Sequence, residues 1–232
     1  MHGSELQVHP VRGTTRTNIV KSTFAPKTEP QMPRGLIDLK GLNTPRAKKL
    51  RNTHPPKGLP FTLQKIGHVV LRTRSLEKSV AFYTQVLGFR VSDVYPPTMV
   101  PGGMVFMRLN ADHHGIALVG GAKKKSKAGE LHHLAFEVGT LDEVIRARTH
   151  LKKHKVKIDF EGRRRAGCQI AVEFRDPDNH VLEIYWGLDQ VGPDGRVRPP
   201  EEWREEFSLE RALKHPVKGQ DTTLQSGKNK KK

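Results

Sequence analysis

Two histidines and a glutamate, His68, His133 and Glu183, stand at matching points of an internal repeat. The first copy opens Ile66-Gly67-His68-Val69-Val70-Leu71 and the second Leu131-His132-His133-Leu134-Ala135-Phe136, an offset of 65 residues. The register persists downstream, where Ser75-Leu76-Glu77 matches Thr140-Leu141-Asp142. The copies close on Asp112-His113-His114-Gly115-Ile116-Ala117-Leu118 and Asp178-Asn179-His180-Val181-Leu182-Glu183-Ile184, now offset by 66. Histidine opens both copies and glutamate closes only one, which yields two imidazoles and one carboxylate. That ligand set, with open coordination positions, suits Fe(II); Mn(II), Ni(II) and Zn(II) are the alternatives.

The elements that must position these residues follow from periodicity. Ile66–Leu71 is a short apolar run around one polar residue, consistent with a buried strand. Ser75 offers an N-cap, Leu76, Val80, Tyr83 and Leu87 recur at helical spacing, and Gly88 stops the helix. Short candidate strands follow at Val91–Val94, Met104–Leu109 and Gly115–Val119. The second copy repeats the order: Leu131–Val138, a helix capped by Thr140 and running through Val144 and Leu151, then Val156–Phe160, Ile170–Phe174 and Val181–Trp186. Asp176-Pro177-Asp178-Asn179 supplies a turn before the last strand. The expected fold class is α+β, two βαβββ modules at about residues 66–121 and 131–187 around a metal cleft.

Composition sets outer limits. Only residues 61–190 carry sustained apolar patterning, and about 130 residues suffice for a real core without staples. Residues 1–60 form a Pro-rich basic extension, and residues 191–232 a C-terminal extension with a short helix around Glu201–Leu213 and a lysine-rich tail. One cysteine, Cys168, excludes an internal disulfide and favours a reducing compartment. No apolar run approaches the roughly 20 residues that span a bilayer, and the N-terminus lacks a secretory h-region. Its first residues weakly echo a transit peptide, but the expectation is a cytoplasmic protein. The net charge of +17 divides into +8 over residues 1–60, +6 over 61–190 and +3 over 191–232. Much of the excess is therefore in the ends, and aromatics do not alternate with the lysines as single-strand binding favours. Nucleic acid is not expected as the main partner, nor is a membrane.

Four segments together resemble the vicinal oxygen chelate superfamily: Ile66–Leu71, Ala81-Phe82-Tyr83-Thr84-Gln85-Val86-Leu87-Gly88-Phe89, His132–Val138 and Asp176–Tyr185. That superfamily includes glyoxalases, type I extradiol dioxygenases, fosfomycin-modifying transferases and bleomycin-binding proteins. The resemblance covers residues 61–190 and implies the fold more sharply than the reaction. Glyoxalase-type members use four protein ligands, and the fourth position here falls on Ala117, which cannot coordinate. A three-ligand site resembles the extradiol enzymes, which implies Fe(II), a small catechol-like substrate and O2. His114 matches the position where those enzymes keep an acid/base histidine. Glu173 stands where they usually carry tyrosine, and Arg163-Arg164-Arg165 where they carry a further histidine. The alternatives are a glyoxalase-like lyase or isomerase or a fosfomycin-type transferase, and a small-molecule binding protein without chemistry. Homodimer formation stays open.

The remaining candidates have plainer readings. By the two-residue strand period His132 points away from His133. His113 ranks below His114, Tyr83 and Phe82 pack the helix, and Cys168 is a passive thiol. Arg163–Arg165 reads as a solvated loop, with attraction of an anionic substrate as the other reading.

Overall fold

A shared buried face organises the first sheet. Strand β1 (Val69–Arg72) pairs in parallel with β4 (Ile116–Val119), which pairs antiparallel with β3 (Met104–Arg108), and β3 with β2 (Arg90–Tyr95). Leu71, Val105, Met107, Ile116 and Leu118 are buried on one face, as a period of two requires. Full burial of a side chain such as Leu118 stabilises by about 1.5–3 kcal/mol. The second sheet repeats this order with β5 (Leu134–Glu137), β8 (Val181–Trp186), β7 (Ile170–Arg175) and β6 (Ile158–Arg163). The computed structural model describes residues 33–55, 57, 60, 63–127 and 129–226, and the described residues from Arg34 onward belong to one compact unit. The expected fold is therefore met: two four-stranded mixed sheets with helices, a paired βαβββ α+β architecture.

Ahead of the sheets lie two short helices, α1 (Leu39–Leu42) and α2 (Pro45–Arg51), the second capped by Thr44 with proline at its first position. Each module then carries one helix. In α3 (Leu76–Ala81) the Ser75 side chain accepts from the Lys78 amide, and the helix continues as a π-turn over Phe82–Val86. In α4 (Leu141–Lys153) Thr140 and Glu143 complete a capping box. Apolar residues of both modules share one core: Tyr83 and Phe89 of the first join Phe174 and Leu182 of the second.

The turn Asp176–Asn179 locks the modules together. The Asp178 carboxylate accepts from the Arg74 amide at 3.1 Å, from Arg74 Nε at 2.9 Å and from Ser79 Oγ at 3.0 Å. Tyr83 donates its hydroxyl to Asp176 at 3.2 Å, and the rings of Phe89 and Phe136 meet edge to face at 5.6 Å.

Two segments differ from expectation. Strand β1 begins at Val69, leaving Ile66 89% exposed and His68 just before the strand. The C-terminal helix is shorter than Glu201–Leu213: a 3-10 turn at Pro200–Glu202 precedes α5 (Leu209–Lys214), which Ser208 caps. Leu209 and Ala212 of α5 enter the core, so this extension is docked. Its anchor is Arg163, a fully buried side chain whose guanidinium donates to the carbonyls of His215 (2.7 Å) and Ala212 and to Gln220 Oε1 (2.9 Å). Gly162 lets the chain through: a Cβ there would sit 1.9 Å from the Glu206 carbonyl oxygen. The expectations for residues 1–32 and 227–232 fall outside the described residues. Among the described residues no helix is long and apolar enough to cross a membrane.

Candidate metal centre

Strand register places Glu183 directly opposite Ala135 on β5, as it places Ala117 opposite Val70 on β1. The offsets read from the sequence are therefore spatial equivalences, and only the second module carries a carboxylate at this point. Glu183 is 1% exposed, and its Oε2 lies 3.5 Å from Nε2 of His133, which immediately precedes β5. Gln169 Nε2 donates to the other oxygen at 3.4 Å.

The setting of Glu183 is electrostatically costly. Glu173 is its cross-strand partner on β7, and like charges directly opposite destabilise. Burial, then the Glu173 charge, raise the Glu183 pKa above its ordinary value. Arg164 offsets part of this by donating to Glu173 Oε1 at 2.8 and 2.5 Å while its guanidinium covers the Phe160 ring at 3.6 Å. Glu205 of the C-terminal extension holds Arg165 at 3.2 Å and Arg164 at 3.7 Å. A buried carboxylate facing an imidazole and crowded by a second carboxylate is well suited to a cation.

The first module presents a histidine cluster instead. The His68 ring lies 4.6 Å from His114, which contacts Phe106 at 5.0 Å; His113 Nδ1 approaches His114 Nδ1 at 3.0 Å. Phe106 is the β3 partner of Ala117, so the cluster borders the position equivalent to Glu183. Partial burial, then the imidazoles of His68 and His113, hold the His114 pKa below its ordinary 6.5.

His133 and Glu183 thus meet, while the ring contact of His68 is with His114. Among the described residues no three His, Cys, Asp or Glu side chains gather to hold a metal ion. The donor chemistry of His133 and Glu183 fits a divalent ion.

Two smaller expectations change. His132 and His133 do not diverge: their Nδ1 atoms are 2.7 Å apart, because β5 begins only at Leu134 and strand alternation does not yet apply. Arg163–Arg165 is not a solvated loop, since Arg163 ends β6 buried and its neighbours are held by carboxylates. Cys168 is buried, and burial raises its thiol pKa, as suits a passive thiol. Gln169 and Glu205 carry no sequence signal, for their roles arise from contacts 14 residues or more away in the chain.

Residues 65–184 match the family model described as the Glyoxalase/Bleomycin resistance protein/Dioxygenase superfamily. The chain belongs to that superfamily. Among relatives, it is 28% identical over 131 residues to 3-methylcatechol 2,3-dioxygenase of Pseudomonas putida, covering 55% of this chain and 44% of that protein. It is 31% identical over 124 residues to mitochondrial methylmalonyl-CoA epimerase of Bos taurus, covering 50% of this chain and 69% of the epimerase. A glyoxylase/bleomycin resistance protein/dioxygenase domain from Frankia sp. EAN1pec aligns with a TM-score of 0.47 at 23% identity, over 54% of this chain and 99% of that one. The chain thus spans less than half the length of the dioxygenase it matches. Within the superfamily, the absence of a donor at Ala117 and the presence of one at Glu183 make the two modules unequal.

Proposed function

We propose that this protein is a metal-dependent enzyme of the extradiol dioxygenase type, acting on a small chelating, catechol-like substrate with O2. His133 and Glu183 supply two ligands and His68 the third, with Fe(II) as the metal and Mn(II) as the main alternative. The observation that carries the reading is the buried Glu183 carboxylate 3.5 Å from His133, at a repeat position whose counterpart is alanine. Similarity to a catechol dioxygenase supports the reaction class.

The modules of one chain are clasped by Asp176 and Asp178 and share a core, and the His68 ring rests against His114. A second copy of the chain, related by a two-fold axis, would bring the His68 of each copy to the His133 and Glu183 of the other. The bound metal supplies Lewis-acid polarisation of the substrate and the redox chemistry that reaction with O2 needs. His114, beside His68 and with a lowered pKa, is neutral near pH 7 and takes up the substrate hydroxyl proton. Gln169 orients the Glu183 carboxylate, and Arg164 holds the neighbouring Glu173 and offsets its charge.

A second reading rests on the epimerase relative, 69% of which this chain covers: a non-oxidative lyase or isomerase in which the metal only polarises a chelated substrate. Metal analysis of protein purified without air, then oxygen uptake against a panel of catechols, separates the two. The dioxygenase reading expects O2 consumption only with the reduced metal. Turnover under strict anaerobiosis with Mn(II), Ni(II) or Zn(II) overturns it in favour of the second.

A further inference from the structure

A cavity of about 800 Å³ opens between β1 and the segment that joins the two modules. Its wall includes Arg72 of β1, Lys123, Lys124 and Lys127 of the joining segment, and His180 from the turn before β8. Glu130 is the one carboxylate among its described lining residues, so four cations face a single anion. Among the described residues none of these four cations is held in an ion pair. The lysines lie between the repeats and have no part in the metal centre; His180 is likewise outside its ligand set.

His180 shows that this is more than a charged surface. Its side chain is 9% exposed, and its Nδ1 is fixed at 2.9 Å from Asp176 Oδ2. Asp176 is itself fully buried and held by the amides of Asp178 and His180 and by the Tyr83 hydroxyl. The carboxylate therefore sets the ring's orientation, with Nδ1 turned inward. No described group hydrogen-bonds Nε2, and that atom is not sealed from solvent. An oriented imidazole edge is left facing a cationic cavity.

We infer that this cavity binds the phosphate group of a small phosphate monoester. A phosphate monoester offers P–O⁻ acceptors and, as its monoanion, also a P–OH donor, and inorganic hydrogen phosphate offers both, so the group matches Nε2 whether that nitrogen donates or accepts. Arg72 adds a planar two-pronged donor and the lysines add point charges. Val70, 47% exposed beside Arg72, and Leu131 supply apolar wall for the organic part of the ligand. The inference does not depend on the metal reading, for neither His133 nor Glu183 lines the cavity.

The test titrates inorganic phosphate into the full-length protein and follows the imidazole ¹⁵N resonances of His180, with sulfate as a control that carries no P–OH donor at neutral pH. We expect the Nε2 resonance to move and saturate with phosphate, and sulfate to bind at least about fivefold more weakly, the worth of one modest hydrogen bond. The double variant Arg72→Gln/Lys124→Gln should keep the melting temperature and weaken phosphate binding about tenfold or more. His180→Gln is a second probe; were it to unfold through loss of the Asp176 contact, the wild-type resonance still decides. An unmoved His180 resonance at saturating phosphate overturns the inference. So does sulfate binding equally well, or binding of an oligonucleotide through the lysines with no response of His180 to phosphate, which would make the lysines a general polyanion patch.

Discussion

Replacing Arg163 with methionine keeps most of the stem volume and removes the guanidinium that ties the C-terminal extension to β6. Three acceptors lose their donor: the carbonyls of His215 and Ala212 and the side chain of Gln220. Hydrogen bonds from a charged donor contribute about 1.5–3 kcal/mol each. The variant no longer desolvates a guanidinium, which offsets part of the sum, so the expected net loss is about 3–5 kcal/mol. Domains of this kind are stable by only about 5–15 kcal/mol, so the loss is large. It should appear locally first, because Leu209 and Ala212 are what the extension contributes to the core. Hydrogen exchange should show the α5 amides losing protection before those of β7 and β8. Release of the extension also frees Glu205 from Arg164 and Arg165, so metal affinity should fall although no proposed ligand has changed. A urea-measured loss below about 1 kcal/mol, with α5 still protected, would refute this account of the extension.

Mixing His68→Ala with Glu183→Ala protein, each inactive alone, should restore about a quarter of wild-type activity, because half of the random dimers regain one of two composite sites; no recovery after exchange of subunits would put all three ligands in one chain. Gly162→Ala should detach the chain at Glu206, where its Cβ would collide with a backbone carbonyl, and a melting temperature within a degree of wild type would contradict that. The Asp142 carboxylate accepts from the Ser226 side chain and from the amides of Gln225 and Ser226, which hold its pKa below the ordinary 3.8. Its contribution is therefore complete above about pH 4 to 5 and lost as pH falls through the depressed folded value; exchange at those two amides should accelerate only in that acid window, and the Asp142→Asn variant should show much less of this dependence. Glu173→Gln removes the like charge facing Glu183 and should bring the Glu183 pKa down in metal-free protein, read from its carboxyl carbon resonance; an unchanged value would leave burial as the whole cause.

The repeat was legible because strand and helix periods are local properties of a sequence. Offsets of 65 and 66 paired His68 with His133 and Ala117 with Glu183, and the registers Val70 to Ala117 and Ala135 to Glu183 are their spatial form. Caps at Ser75 and Thr140 were readable for the same reason, since each acts within one helical turn. The order of elements in each module followed from the same local periods.

What periodicity could not convey is where a strand starts and what approaches from far along the chain. His132 and His133 fall just outside β5, so the alternation that would separate them does not operate. Arg163 looked like part of a basic run, yet its partners lie 49 to 57 residues later, in a segment with little apolar pattern of its own. The sequence by itself determined which residues face which side of each module, because that depends on a period of two or of 3.6. Only the tertiary structure decided how the modules are clasped, through Asp176 and Asp178, and hence that His133 meets Glu183 while His68 meets His114. Packing between modules is set by side chains some 90 to 100 residues apart, and no local period carries that information.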